Sequence, residues 1–253
     1  MAAAAVEQRA CAGGAIAVTD DHGLCIATYN IHKGVGTDRH RDLARTAAVI
    51  AEIGADILAL QEADTRFGTR TGLLNLDHLR DAHGLIPVQV EGSGPAHGWH
   101  GNLVLIRDAQ VEEVHKINLP GLEPRGALIA DVAVRGRPLR VVATHLGLLS
   151  SSRAAQARVL IDRLHALNAR PTVLLGDTNE WRIFGPSLWA LERLFSRSLP
   201  ARSFPARYPV LPLDRIMAAP GLDLTPISAH DTPLARRASD HLPVKARLRF
   251  PEG

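Results

Sequence analysis

The sequence predicts an α/β protein, and three observations carry that reading. Short apolar runs alternate with amphipathic helical stretches from about residue 24 to residue 250. Turn signals built on Gly and Pro separate them. Asn, Asp, Glu and His recur where the apolar runs end. Strands interleaved with helices argue for α/β, although pattern alone leaves the packing of the sheets open. No internal repeat and no composition shift marks a boundary, so a single domain is expected over residues 23–253, behind a flexible leader at 1–22.

Each element has its own signal. Residues 24–29 read as a buried strand. Residues 42–53 place Leu43, Ala47, Ile50 and Ala51 on one helical face, and Gly54 follows as a C-terminal cap. The strand 56–61 comes directly after. Residues 102–107, 127–134 and 139–144 read as three further strands, the last two joined by a turn holding Gly136 and Pro138. Residues 152–167 form a second helix with Ala155, Val159 and Leu164 inward and Ser151 or Ser152 as cap. Pro171 ends that register before a strand at 173–175. Pro186 suits the first turn of a short helix over 187–195. A Pro-rich loop follows, and two late strands near 213–217 and 243–250 complete the chain.

The chain of 253 residues is 46% hydrophobic but only 4% aromatic, so the core rests on Ala, Val, Ile and Leu. Its 29 Lys and Arg against 26 Asp and Glu leave a net charge of +3, with no basic run of the kind that marks a nucleic-acid arm. Cys11 and Cys25 are too few for a disulfide framework or a zinc–thiolate site. No apolar run approaches a membrane span. The first residues lack a basic stretch followed by a sustained apolar block, so a cytoplasmic protein is expected.

The chemistry lies at the strand ends. Asn30, Glu62, His145, Asp177 with Asn179, and Asp240 with His241 each follow or precede an apolar run. Strand ends are rigid mounts at a sheet rim, where open α/β sheets place ligands. Such residues suit hydrolysis at phosphorus. Mg²⁺ favours carboxylate and amide oxygens, which Asn30, Glu62 and Asp240 could supply. A carboxylate or His then orients or deprotonates water, and Asp214 could pair with His241 to fix its tautomer.

Eight strings in order carry a resemblance: ATYNIHKGVG (27–36), DILALQEAD (56–64), GNLVLIR (101–107), EPRGALIA (123–130), ATHLGL (143–148), LLGDTNEW (174–181), LDRI (213–216) and SDHLPV (239–244). The chain resembles the endonuclease/exonuclease/phosphatase superfamily, the deoxyribonuclease I-like group, and most of all its small bacterial members of unknown substrate. A series in order is far less prone to chance than one motif. The resemblance implies a four-layer sandwich of two mixed β-sheets flanked by helices, with the site at one rim. It implies catalytic roles for His145, Asp177, Asn179, Asp214 and His241. It implies a metal site at Asn30, Glu62 and Asp240 holding Mg²⁺, with Mn²⁺ as a substitute. Asn102 and Arg125 would bind phosphate or support the site. His241 would be a general base or a phosphate stabiliser.

The departures are informative. Thr178 stands where the family commonly has an aromatic, which implies a repacked neighbour. Arg215 stands where many relatives have His, which bears on a substrate contact. His145 stands where the apurinic endonuclease group resembles a Tyr-bearing variant, which disfavours abasic-site repair. The expected substrate is a phosphate ester: nucleic acid or phospholipid first, a soluble inositol or sugar phosphate as the alternative. The rival is an inactive binding module on the same fold. No protein partner is implied and a monomer is expected. Trp181 reads as a structural cap of the site wall, with base stacking or lipid contact as the alternative, and Lys33 as a substrate contact or a solvated residue.

Overall fold

The computed structural model describes residues 23–65, 68–196 and 200–251; the expected leader at 1–22 lies outside them. Two sheets form. One takes strands from both halves of the chain: β1 (Leu24–Asn30), β2 (Ile57–Gln61), β3 (Ile86–Pro87), β4 (Leu103–Ile106), β10 (Asp223–Ala229) and β11 (Val244–Arg249), in the order β10-β11-β1-β2-β4-β3. The other holds β5 (Ala109–Leu119), β6 (Arg125–Val134), β7 (Arg137–His145), β8 (Thr172–Asp177) and β9 (Asp214–Ala218) in chain order. Each sheet has one parallel pair, β1 with β2 and β7 with β8; the other pairs are antiparallel.

Strand periodicity separates three cores. Side chains alternate faces along a strand. Leu24, Ile26, Ile57 and Ala59 of the first sheet meet Val141, Ala143, Val173 and Leu175 of the second in the central core. The alternate residues, Ala27, Tyr29, Leu58 and Leu60, face α1 (Leu43–Ile53), α2 (Leu76–His83) and α5 (Pro233–Ala238). Ile129, Val142 and Leu174 face α3 (Ser150–His165) and α4 (Pro186–Leu191). Helix, sheet, sheet, helix is a four-layer sandwich, as the resemblance implied.

Local chemistry sets the helix ends. Asp42 caps α1 through the Arg45 N–H, and Gly54 ends it in the left-handed region at φ 62°. The buried stripe of α1 is Thr46, Val49, Ile50 and Ile53, rotated from the expected one: Leu43 and Ala47 only flank the core and Ala51 is exposed. In α3 the cap is Leu149, with no side-chain bond, and the buried face includes Arg153 and Gln156. Ala155 and Val159 are only half-buried. Their displacement has one cause: polar Arg153 and Gln156 claim the inward positions because each finds buried partners.

Candidate active site

The catalytic candidates are the last rung of the inward-facing ladder that builds the central core. On β8 the inward series is Val173, Leu175, Asp177; on β7 it is Val141, Ala143, His145. The register pairs His145 with Asp177 and Asp177 with Asp214, so three polar residues stand side by side across β7, β8 and β9. On the facing sheet Asn30 pairs with Gln61. The core turns from apolar to polar within one residue pair of the rim. Gly176 permits the approach: a Cβ there would lie 2.1 Å from the Thr144 carbonyl oxygen.

Asp177 is the hub. Its Oδ2 accepts from Asn30 Nδ2 at 3.0 Å and its Oδ1 from the Asn179 N–H at 2.9 Å. His145 Nε2 and His241 Nε2 lie 3.4 and 3.7 Å from Oδ2. Arg125 Nη1 is 2.8 Å from His145 Nδ1. A guanidinium only donates, so His145 Nδ1 accepts and the ring proton sits on Nε2, facing Asp177. Arg125 is itself held by Glu123, whose other oxygen accepts the Leu148 N–H. Asn179 Nδ2 donates to the Leu146 carbonyl at 2.9 Å.

Asp214 stands behind His241. Its Oδ2 is 2.8 Å from His241 Nδ1 and accepts the Ser203 hydroxyl at 2.6 Å. Burial works against a charged His241, but the Asp214 and Asp177 carboxylates outweigh it and push its pKa up to about 10. Burial pushes the Asp177 carboxyl up to about 6, the His241 charge opposing and the Asp214 charge adding. At neutral pH an imidazolium therefore faces the Asp177 and Asp214 side chains.

Asn30, Glu62, Asp240, Arg125, His145, Asp177, Asn179 and His241 line one open cavity of about 450 Å³, together with His32 and Lys33. Lys33 Nζ is 2.5 Å from Glu62 Oε2. Burial raises the Glu62 pKa, but the Lys33 bond and charge, with His32 and Arg125, outweigh it and hold the carboxyl below its usual range. His32, Lys33, Glu62 and Asn179 all adopt positive φ, from 47 to 56°. For residues other than Gly this costs roughly 1–2 kcal/mol each, and such strain concentrates at functional sites. Here it aims four side chains at one cavity.

Asp214 and Asn102 do not line the cavity. Asn102 is a tie, its Nδ2 donating to the Trp99 and Gly126 carbonyls. Arg215 is turned inside, 3.3 Å from the Glu180 carbonyl, away from any substrate contact. Thr178 is buried, and its hydroxyl bonds the Leu213 carbonyl at 2.9 Å. His97, His100 and His230 are bonded elsewhere, to Leu74, to Pro124 and Asn118, and to Glu52. The sequence reading missed the buried Glu180, which accepts from Arg153 at 3.2 Å and Ser187 at 3.2 Å. Its position three residues beyond Asp177 was the available signal.

A carboxylate hub between two histidines, beside oxygen donors and bound basic groups, is the equipment of phosphoester chemistry. The model of the endonuclease/exonuclease/phosphatase family matches residues 27–241. The chain belongs to the endonuclease/exonuclease/phosphatase family. The uncharacterized protein YbhP of Escherichia coli K12 is 29% identical over 252 residues, covering 91% of this chain and 98% of its own. Among solved structures, the mannosyl-6-phosphatase of Bacteroides thetaiotaomicron VPI-5482 superposes with a TM-score of 0.69 at 17% identity, covering 90% of this chain and all of that one. The TDP2 of D. rerio, complexed with a single-strand DNA product, gives 0.67 at 18%, covering 91% and 100%. Those two likenesses bear on the fold alone. The family is typically one of metal-dependent phosphoester hydrolases.

The acidic groups fall into two sets. Asp177, Asp214 and His241 bring ligand-type atoms within 4.8 Å of one another, but the 2.8 Å contact between Asp214 and His241 Nδ1 is a hydrogen bond that uses both atoms. Glu62, Asp240 and Asn30 also line the cavity and carry oxygens of the kind that could hold Mg²⁺, the Asn30 Oδ1 already accepting the His32 N–H at 3.0 Å. The Lys33 ammonium rests against the Glu62 carboxylate and holds it ionised.

Proposed function

We propose that this protein is a Mg²⁺-dependent phosphoester hydrolase in which water attacks phosphorus in line with the leaving oxygen. The supporting observation is the convergence of Asn30, His145, Asn179 and His241 on the Asp177 carboxylate. Water gives its oxygen to phosphorus and a proton to Asp177, the P–O bond to the leaving group breaks, and the leaving oxygen takes a proton from solvent to depart as an alcohol. Asp177 suits the base role because burial has raised its proton affinity, and Asn30 and Asn179 fix its two oxygens. His241, held as an imidazolium by Asp214, stabilises phosphate charge rather than accepting a proton. His145 presents Nε2–H to the phosphate or the leaving oxygen, with Arg125 holding the tautomer. Bound at Asn30, Glu62 and Asp240, Mg²⁺ would polarise a phosphoryl oxygen and offset developing charge.

The test is a panel of bis-p-nitrophenyl phosphate, plasmid, single-stranded DNA, phospholipids and soluble sugar and inositol phosphates. Wild type is run beside Asp177→Ala with Mg²⁺ or Mn²⁺. Metal-dependent turnover should fall at least ~10²-fold in the variant. Equal turnover by both proteins would remove Asp177 from the mechanism.

A further inference from the structure

The exposed apolar side chains are concentrated on segments of the chain that also supply the cavity wall. Among the described residues, eleven large hydrophobic side chains are exposed, and nine lie on four segments that each contain or adjoin in sequence a residue lining the cavity. These are Leu122 between β5 and β6; Leu148 and Leu149 between β7 and α3; Trp181, Ile183, Phe184 and Trp189 in the segment after β8; and Tyr208 and Val210 in the loop before β9. Leu148, Trp181, Phe204 and Leu211 carry the surface into the cavity wall. The exposure is large, at 88% for Leu122, 79% for Phe184 and 78% for Tyr208. In a chain that is only 4% aromatic, four aromatics stand in solvent on these segments.

The mountings are firm. Arg153 donates to the carbonyls of Gly147 and Leu148 and to the Glu180 carboxylate, joining two of the segments from beneath. The exposed charges on these segments are arginines: Arg182, whose guanidinium lies 5.9 Å from the Trp181 ring centroid, Arg202 and Arg207. The acidic side chains there are engaged, Glu123 with Arg125 and Leu148, and Glu180 with Arg153 and Ser187.

We infer that this rim seats on a phospholipid surface and that the phosphate reaching the cavity belongs to a lipid headgroup. Aromatics with one polar edge favour the interface, and Leu, Ile and Val favour the acyl boundary. Arginines beside them complement anionic headgroups. Stacking of nucleic-acid bases would use the aromatic faces but not Leu122, Leu149, Ile183 or Val210. The inference rests on the phosphoesterase reading for the second clause and on surface chemistry alone for the first.

Vesicle co-sedimentation separates the two. Vesicles of phosphatidylcholine with a minority of phosphatidylglycerol are titrated against wild type and an Ile183→Ser/Phe184→Ser variant, neither position lining the cavity. Wild type should partition onto the vesicles, and the variant should bind at least ~10-fold more weakly. Hydrolysis of soluble bis-p-nitrophenyl phosphate serves as the separate readout of the site, and an unchanged melting temperature controls for folding. Wild type remaining in the supernatant, or equal binding by the variant, would overturn the docking surface while leaving the soluble activity to speak for the site. Loss of single-stranded oligonucleotide binding in the variant, with vesicle binding intact, would reassign the rim to nucleic acid.

Discussion

Asp214→Asn isolates the electrostatic contribution of one carboxylate. Asp214 uses only Oδ2 for His241 and Ser203, while Oδ1 is buried without a hydrogen-bond partner. An asparagine can keep its carbonyl oxygen toward His241 and place its amide nitrogen at the vacant end, so the geometry survives and the charge is lost. The imidazole is raised from an ordinary 6.5 to about 10, which at 1.36 kcal/mol per tenfold is about 5 kcal/mol of support for the charged form. Asp214 is the first of the groups that raise it, ahead of Asp177, and since an adjacent opposite charge typically moves a pKa by about 1–3 units, about 2–3 kcal/mol goes with the substitution. Turnover should therefore fall by about 10²-fold at alkaline pH, where the variant's imidazole is neutral and the wild-type imidazole still holds its proton. As pH falls below ~6.5 both rings are protonated and the gap should narrow. An NMR titration of His241 in metal-free protein checks the same point, with the pKa moving down toward the ordinary range. A His241 titration unchanged by the substitution, or a rate deficit equal at every pH, would refute the reasoning.

Other outcomes follow from the same geometry. Arg153→Met leaves Glu180 buried without its charge partner, so the free energy of unfolding in urea should fall by about 3–5 kcal/mol. Gly176→Ala drives a Cβ into the Thr144 carbonyl and should cost at least ~1–3 kcal/mol by thermal denaturation. Arg125→Gln removes the guaranteed donor to His145 Nδ1, so kcat should drop about tenfold or more with KM for a soluble diester changing less.

The strand ends were legible because β-strand periodicity and one residue type at each rim are both local signals. Asn30, Glu62, His145, Asp177, Asn179, Asp240 and His241 each stood beside an apolar run, and all seven line one cavity. Asn102 could be read only as flanking the site, because its ties to Trp99 and Gly126 are set by the loop it closes. The strand β5 escaped notice because its sequence, AQVEEVHKINL, carries the charges of an edge strand. The helix α2 has Asn75 and Gly84 as caps, but only Leu79 is buried, so its apolar periodicity is faint. The positive φ of His32, Lys33 and Glu62 leaves no mark in composition, and it is what turns Lys33 from a loop residue into the partner of Glu62.

Under the proposed function, oxygen donors at Asn30, Glu62 and Asp240 hold the cation on which the Asp177 site depends. The direct measurement is hydrolysis of bis-p-nitrophenyl phosphate by EDTA-treated protein as Mg²⁺ is restored, wild type beside Glu62→Gln, with Mg²⁺ binding followed by calorimetry. Turnover should be absent in EDTA and recover with Mg²⁺ in the wild type, while the variant should bind Mg²⁺ more weakly and recover only when Mg²⁺ is at least ~10-fold higher. Turnover that persists in EDTA, or a variant that binds Mg²⁺ and recovers as the wild type does, would contradict that assignment.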